Sequence, residues 1–324
     1  FVPVAEFARQ CQRLFVQRYL TGGIPRAKRD NPQVGERQAD CVSVAQFPED
    51  SQRFVEPLTI FRELRHAHAI GLALANLGVS YAALGQYQET LQVYQQHLAL
   101  SRQTGDKRDE SHALFSLGEV YFDLGDLAQA EEFFRQSLEI ADRLQEYPLK
   151  ALALGGLSDV LTDRGNPASA IEQLTQALKC LQASPDSRVE SRLLASMGNA
   201  CNAANRLDEA LTWHQRLRDL ALSTGNQSLL VHALGGQVSV YRVKGDFSQA
   251  RALAAEGLSL AEEMGFGSHI AFLSWQIGLI LDAEGNPQDA LKMMERTIDY
   301  ERQVKSPELQ GHLTRMAETR QKVA

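Results

Sequence analysis

The apolar residues of the chain recur with the spacing of amphipathic helices, and this recurrence itself repeats every 40 residues. The clearest example is Ala73–Gly85, whose apolar side chains share one helical face. The same residue types return at Ala113–Gly125, and related segments continue to Gly285. Six units therefore lie between about residues 67 and 305, and the pattern predicts an all-α repeat array.

Each unit is predicted to be a helical hairpin, because stop and start signals recur inside it. The signal is a glycine followed by a polar residue that caps the next helix, at Gly85-Gln86, Gly125-Asp126, Gly165-Asn166, Gly245-Asp246 and Gly285-Asn286. Small residues that recur within the helices indicate a close approach of neighbouring helices. They are Gly78, Gly118, Gly198 and Gly278 on the first helix and Ala130, Ala170, Ala210, Ala250 and Ala290 on the second.

This repeat resembles the tetratricopeptide repeat, in the 40-residue form of Pins/LGN-type scaffolds and, at slightly greater length, kinesin light chains. The resemblance covers about three quarters of the chain. It implies an all-α, right-handed superhelical solenoid of antiparallel helix pairs, in which the first helix of each unit lines a concave face. It also implies a protein or peptide partner rather than a particular chemistry.

The two ends depart from the repeat. Residues 306–324 are predicted to form a C-terminal capping helix that Ser306-Pro307-Glu308 opens. Residues 1–66 are predicted to hold two amphipathic helices, Val4–Leu20 and Phe54–Ala69, around an irregular stretch. That segment either caps the first repeat or folds back over the concave face as an autoinhibitory segment.

Composition narrows the range of partners. The formal net charge of −7 opposes a phosphate-binding surface, so no nucleic acid partner is expected. The sequence contains no apolar run of about 18 residues, so membrane insertion is not expected. No secretory leader is recognised either, and a cytoplasmic location is therefore expected. The four cysteines lack zinc-finger or disulfide spacing and are expected to be free thiols.

The resemblance also implies which side chains face a partner, because groove residues precede and follow the Leu-Gly pair of each first helix. Carried onto this sequence, the candidate partner-binding residues are Phe115, Glu119, Phe122, Asp159, Arg192, Asn199, Asn202, His232, Arg242, Phe272 and Trp275. Along this series apolar positions give way to acidic ones, and acidic ones to basic and amide-bearing ones.

Four of these candidates have a stated chemical role. Trp275 is interpreted as an aromatic anchor for a partner or, equally well, as a residue that packs against the capping helix. Asn199 and Asn202 are suited to hold a peptide backbone and Arg242 a carboxylate, the alternative being that these side chains are only solvated. The carboxylate clamp known in the family is not matched, because Ala75 and Val79 stand where it needs polar groups.

No catalytic signature is present, and neither a cofactor nor a metal site is predicted. Phosphate-binding, dinucleotide-binding, zinc-protease and hydrolase motifs are absent from the sequence. His66 and His68 are two residues apart, so they point to nearly opposite sides of a helix. His97 and His214 fall at helix positions where packing against other residues or exposure to solvent is a sufficient explanation.

The leading hypothesis is a non-enzymatic scaffold or adaptor that binds a partner peptide or helix in its concave groove. A regulatory sensor region of a larger signalling protein is the alternative, motivated by the non-repeat N-terminal segment. Self-association through the edges of the repeats is a third and weaker hypothesis.

Overall fold

The computed structural model describes residues 67–323. The two N-terminal helices and the irregular stretch predicted for residues 1–66 lie outside these residues, apart from the last three positions of the second helix. Thirteen helices follow one another within the described range. They are α1 Ala67–Ala83, α2 Tyr87–Thr104, α3 Lys107–Asp123, α4 Leu127–Leu144, α5 Tyr147–Asp163, α6 Pro167–Ala183, α7 Ser187–Ala203, α8 Leu207–Thr224, α9 Gln227–Lys244, α10 Phe247–Met264, α11 Gly267–Ala283, α12 Pro287–Val304 and α13 Leu309–Gln321.

The predicted fold class is confirmed, since the described residues form helices and no strands. The helices from α1 to α12 form six antiparallel pairs, and each pair packs against the next as a solenoid. No helix within residues 67–323 combines the length and the apolar character that crossing a membrane requires.

The turn inside each pair depends on one residue in the left-handed conformation. Glycine fills this position in five of the six turns, as Gly125 does with φ of 75°. The exception is Asn205, whose φ is 58°, and asparagine tolerates this region better than most residues.

The predicted caps that follow these turns form only in part. The side chains of Asp126 and Asp246 accept hydrogen bonds from Gln129 and Gln249, as a cap requires. Asn166 and Asn286 make no such bond. Both asparagines nevertheless stand at the predicted N-cap position, and the proline that follows each of them presets φ and removes one donor that needs a partner.

Within each pair, a large side chain of the even-numbered helix fills the space that a small residue of the odd-numbered helix leaves open. A Cβ added to Gly118 would lie 2.6 Å from the ring of Phe134, and one added to Gly156, on the next odd helix, 2.7 Å from the same ring. Phe134 therefore packs against two consecutive units. The same arrangement pairs Gly78 with Tyr94, Gly198 and Gly236 with His214, and Gly278 with Met294.

The third and fifth pairs have other residues at these two positions, without a glycine and without a ring. Ser158 stands at the glycine position of the third pair, and Leu174 replaces the aromatic ring. Val238 stands there in the fifth pair, and Ala254 replaces the ring. All four side chains are buried. The summed volume of the two side chains therefore stays roughly constant from one helix pair to the next, as close packing requires.

The C-terminal helix α13 begins two residues later than predicted. Ser306 does not cap a helix at Pro307; its hydroxyl accepts a hydrogen bond from the Glu308 amide at 3.2 Å, and the helix begins at Leu309. After this turn, α13 packs Met316 against Met294 and Ile298 of α12. The division of the chain into three segments at residues 66 and 305 stays a prediction.

The first and last helix pairs approach each other within the described range. Gly85, in the turn after α1, lies so close to the end of α12 that an added Cβ would be 2.3 Å from the Cβ of Val304. Gly125 lies near Pro307 in the same way, with 4.0 Å between an added Cβ and the Pro307 Cβ. The curvature summed over six pairs brings these turns together.

The contact between Gly118 and Phe134 gives a first prediction. We expect Gly118→Ala to lower the free energy of unfolding by about 1–3 kcal/mol, because the added methyl overpacks the ring. Gly311→Ala is the control, since its Cβ meets nothing within 4 Å in α13, and it should be neutral or stabilising by up to about 1 kcal/mol. Urea denaturation followed by circular dichroism measures both changes.

The double variant Gly118→Ser with Phe134→Leu introduces the combination of the third pair and should recover part of the loss. The packing explanation is contradicted if Gly118→Ala lowers the free energy of unfolding no more than Gly311→Ala does. It is also contradicted if the double variant loses more stability than Gly118→Ser and Phe134→Leu lose in sum.

His214 gives a second prediction, on pH. Its ring is 1% exposed, and neither nitrogen has a hydrogen-bond partner within the described residues. Burial, and to a lesser degree His232, lowers the pKa of His214 to about 4. The unfolded chain therefore binds a proton more readily than the folded one, so stability should fall as pH drops from about 6.5 to about 4, by at most about 3 kcal/mol.

We expect His214→Leu to remove this part of the pH dependence, because leucine fills the equivalent position of the third pair. Urea midpoints of both proteins at pH 7.5 and at a pH of about 5 measure the difference. Curves that remain parallel in the two proteins would show that His214 is not the titrating group.

Candidate functional site

The odd-numbered helices line one common face of the array. Contacts between second-neighbour helices run between α1 and α3, α3 and α5, α5 and α7, α7 and α9, and α9 and α11. Helices that approach their second neighbours lie on the inner side of a curved array. We call the inner face of these odd helices the groove, which is the surface that the resemblance implies for partner binding.

The structure places the predicted site residues at different depths in this face. Asn199, His232 and Phe272 are exposed, whereas Glu119, Phe122, Asp159, Arg192, Asn202 and Arg242 are partly exposed. Phe115 and Trp275 are buried, with 5% and 8% of their surfaces exposed. Nine of the eleven candidates are thus accessible to a partner, and two support the surface from below.

Three helices contribute to an ion cluster around Arg192. Its guanidinium, on α7, bonds to Glu119 on α3 and, at 3.1 Å, to Asp159 on α5. The same guanidinium lies 5.0 Å from the centre of the Phe115 ring, a cation–π distance. The cluster therefore joins three consecutive units across the groove.

The sequence predicted these residues as groove residues but not their mutual pairing. A signal for it exists in the spacing, because Arg192 is 33 residues after Asp159 and 73 after Glu119. These separations are one and two 40-residue periods, each shortened by seven residues, and seven residues are two helical turns. Opposite charges at such separations meet when consecutive odd helices pack side by side.

Negative charge exceeds positive charge around this cluster. Burial raises the pKa of Asp159 even though Arg192 opposes the shift. Burial and then repulsion from Glu119 raise the pKa of Asp123 to about 7. Burial and then Glu308 raise the pKa of Asp163. No ion pair joins Asp123 or Asp163 to a cation among residues 67–323, and Arg192, which opposes the shift at Asp123, is outnumbered by the carboxylates around it.

The other end of the groove carries hydrogen-bonding groups and one cation. Arg242 on α9 donates from Nε to the side-chain oxygen of Gln276 at 2.8 Å, and no carboxylate pairs with it within the described range. The amide nitrogen of Asn202 lies 3.4 Å from the Ser239 hydroxyl, and its oxygen has no partner there. Although His232 is exposed on one side, the surrounding groove walls desolvate its imidazole, and this desolvation and then Arg192 lower its pKa.

The two aromatic candidates of α11 have different environments. Phe272 is 44% exposed and lies over Gly235, where an added Cβ would be 3.1 Å from its ring. The Trp275 ring is 3.9 Å from that of His312 on α13, and Met294 and Met316 pack around it. Phe272 is thus the exposed aromatic side chain of this helix, whereas Trp275 belongs to the packing of the C-terminal helix.

Beside Trp275, His312 and two carboxylates approach each other. The His312 Nδ1 lies 2.6 Å from Glu301 Oε1, and Glu308 is close enough that all three could hold a metal ion. The bond between His312 and Glu301 already satisfies the ring nitrogen. We interpret this cluster as an ion pair that attaches α13 to α12.

Part of the chain matches the model of a known repeat. The family model described as tetratricopeptide repeat matches residues 70–143, 111–183 and 149–223. A search of curated protein sequences finds no match.

Solved structures share the fold at low sequence identity. A Rap protein complexed with competence and sporulation factor is 14% identical, with 84% of this chain and 85% of that chain covered and a TM-score of 0.58. The apo form of RapI is 13% identical, with 79% and 99% covered and a TM-score of 0.58. A tetratricopeptide repeat protein from Parabacteroides merdae is 15% identical, with 79% and 98% covered and a TM-score of 0.50.

The carboxyl group of Asp123 gives the third prediction. Its raised pKa means that the folded chain binds the proton more tightly than the unfolded chain, so its favourable contribution is lost as pH rises from about 4 to above 7. Asp123→Asn should therefore stabilise the protein at pH 8, by no more than about 1 kcal/mol because solvent screens the charge.

At a pH of about 4 the two proteins should be equally stable, since the aspartate is then neutral as well. Urea denaturation at both pH values is the measurement. A gain that is the same at both pH values would contradict the assignment of an unpaired acid to this position.

The 40-residue helical hairpin, the match of the family model to residues 70–223 and the fold shared with solved repeat proteins agree: the chain contains tetratricopeptide repeats in an all-α solenoid.

Proposed function

We propose that this protein is a non-enzymatic scaffold or adaptor that binds an extended segment of a partner protein in the groove. The observation that carries the proposal is the pair of uncompensated charges at its two ends. Asp123 lacks a cation partner at the α3 end, and Arg242 lacks a carboxylate partner at the α9 end, within the described residues. A segment with a basic residue and an acidic residue at a matching separation supplies both.

The region between these charges is suited to a peptide backbone. Asn199 is exposed, and the side-chain oxygen of Asn202 has no partner among residues 67–323. Amide side chains offer both donors and acceptors, which an extended backbone needs at every residue. Beyond Arg242, the exposed ring of Phe272 offers an apolar contact for one larger side chain.

A rigid groove lowers the entropic cost of binding. The ion cluster of Arg192 fixes three consecutive units relative to each other, and the glycine contacts hold each helix pair at close distance. A surface that is ordered before the partner arrives loses little conformational freedom on binding.

The fourth prediction tests this function by selection from a random peptide library displayed on phage. The wild-type chain should enrich peptides that carry both a basic and an acidic residue, because each of them compensates one charge. The groove variant with Asn199→Ala, Asn202→Ala and Arg242→Ala should lose this enrichment.

A matched variant on the opposite face controls for general effects of three substitutions. Glu172→Ala, Gln176→Ala and Lys179→Ala change exposed positions of α6 and should leave the enrichment unchanged. Circular dichroism establishes equal helicity of the three proteins. Equal enrichment on the groove variant and the wild type would place binding elsewhere and refute the proposal.

A regulatory sensor is a second candidate function, and the contact between Gly85 and Val304 favours it. This contact depends on the curvature of all six pairs, so a segment that changes the curvature breaks or tightens it. The selected peptides provide the readout through fluorescent labels at the exposed residues Gln86 and Lys305. A change in label distance on binding favours the sensor, and an unchanged distance favours the rigid scaffold.

A further inference from the structure

A cavity of about 210 Å³ at the start of the described array is lined by histidine and aspartate side chains from three helices. His68 comes from α1, His97 from α2, and Asp109 from the first turn of α3, with Asp106 immediately before that helix. The remaining lining residues are Leu100, Ser101 and Thr104. This cavity lies outside the set of side chains that we assign to partner binding.

His97 is the unusual member of this cavity. It is 4% exposed, and neither ring nitrogen has a hydrogen-bond partner within the described residues. Its Nε2 points toward Asp109, with 3.9 Å between Nε2 and Oδ2. A buried imidazole without partners is costly, and so its position beside a carboxylate needs a reason.

We infer that His68, His97, Asp106 and Asp109 form a binding site for one divalent transition-metal ion of the zinc class. One ligand atom each from His68, Asp106 and Asp109 lies within 4.8 Å of the other two, and His97 completes a set of two nitrogens and two oxygens. Imidazole and carboxylate ligands together are typical of zinc and of metals that replace it, whereas magnesium and calcium prefer oxygen alone.

The distances are those of a site that closes slightly on binding. Zinc lies about 2.0–2.1 Å from nitrogen ligands, which puts neighbouring ligand atoms of a tetrahedral site about 3.4 Å apart. The separations among the ligand atoms of His68, Asp106 and Asp109 exceed this by about 1.4 Å or less, and the separation of His97 Nε2 from Asp109 Oδ2 exceeds it by about 0.5 Å. His68 is exposed, so its side chain is free to rotate toward the other ligand atoms.

The surroundings leave room for an ion and orient one ligand. Asp106 uses Oδ1 to accept the Asp109 amide at 3.0 Å, which fixes its carboxylate and leaves Oδ2 available. Gly71 lies beside the ligands, and a Cβ added there would be 3.1 Å from Asp109 Oδ2 and 3.5 Å from His97 Nε2. The absence of a side chain at residue 71 therefore keeps the ligand atoms accessible.

Comparison among the repeats of this chain separates the metal site from ordinary packing. The position of Asp109 is Leu149, Val189 and Leu229 in the next three units, and the position of His97 is Ser137, Ala177 and Leu217. Leu149, Val189 and Leu217 are buried apolar residues. The first pair and the helix that follows it thus replace two core positions with an imidazole and a carboxylate that face each other, which packing alone does not require.

The experiment is a zinc titration of the full chain in competition with a chromophoric chelator. We expect one zinc ion per chain, and cobalt in its place should give the intense visible absorption of a tetrahedral site. Asp109→Asn and His97→Gln keep the size of the side chain and should each weaken zinc binding at least about tenfold.

Two further variants test the geometry and the alternatives. Gly71→Ala leaves all four ligands in place but crowds Asp109, and should weaken binding without abolishing it. His214→Leu removes a buried histidine that has no hydrogen-bond partner and lines no such cavity, and should leave zinc binding unchanged. His312→Ala removes the second cluster of histidine and carboxylates and should also leave it unchanged.

The inference is overturned if the wild type binds no zinc, if Asp109→Asn retains full affinity, or if only His312→Ala abolishes binding. Circular dichroism and urea midpoints without metal establish that each variant is folded. Because the groove variant keeps all four ligands, it should bind zinc normally, so failure of peptide selection and failure of metal binding remain distinct results.

Discussion

The close approach of two helices within each pair is the constraint on which the remaining structure depends. That approach is possible because a large side chain of the even helix occupies the space left by a small residue of the odd helix. Phe134 shows how far the effect extends, since it contacts Gly118 in its own pair and Gly156 in the next. One side chain thus sets the distance within a unit and the distance between units.

The constant geometry of the units explains why functional side chains form rows. When every pair repeats the same rotation, residues 40 positions apart lie at equivalent places on the inner face. Glu119 and Asp159 occupy such places in successive units, and Arg192, seven residues before the corresponding place in the next unit, reaches both of them. The charges of the groove are in this sense a consequence of its packing, and a change at a glycine contact would displace them together.

Sequence alone was sufficient for the fold, because its signals are local and repeated six times. Helices, turns and the glycine contacts all follow from periodicity and from the residues at fixed offsets. The partner-binding role of the groove residues comes only from the resemblance and stays a prediction. What the sequence leaves open depends on the angle between units. Packing of Trp275 against the capping helix was one of two alternatives, because no pattern within α11 indicates where α13 will lie.

Departures from the repeat are therefore more informative than the repeat itself, provided that packing is considered first. His214 departs from the apolar residues at equivalent positions, but Gly198 and Gly236 enclose its ring, and the fit accounts for its presence. His97 also departs, and Gly71 leaves space for it in a similar way. The difference is that a second departure, Asp109, lies beside His97 where the next three units have leucine or valine. A single polar substitution in a core is explained by volume, whereas we attribute the two complementary ones that face each other at this cavity to the proposed metal site.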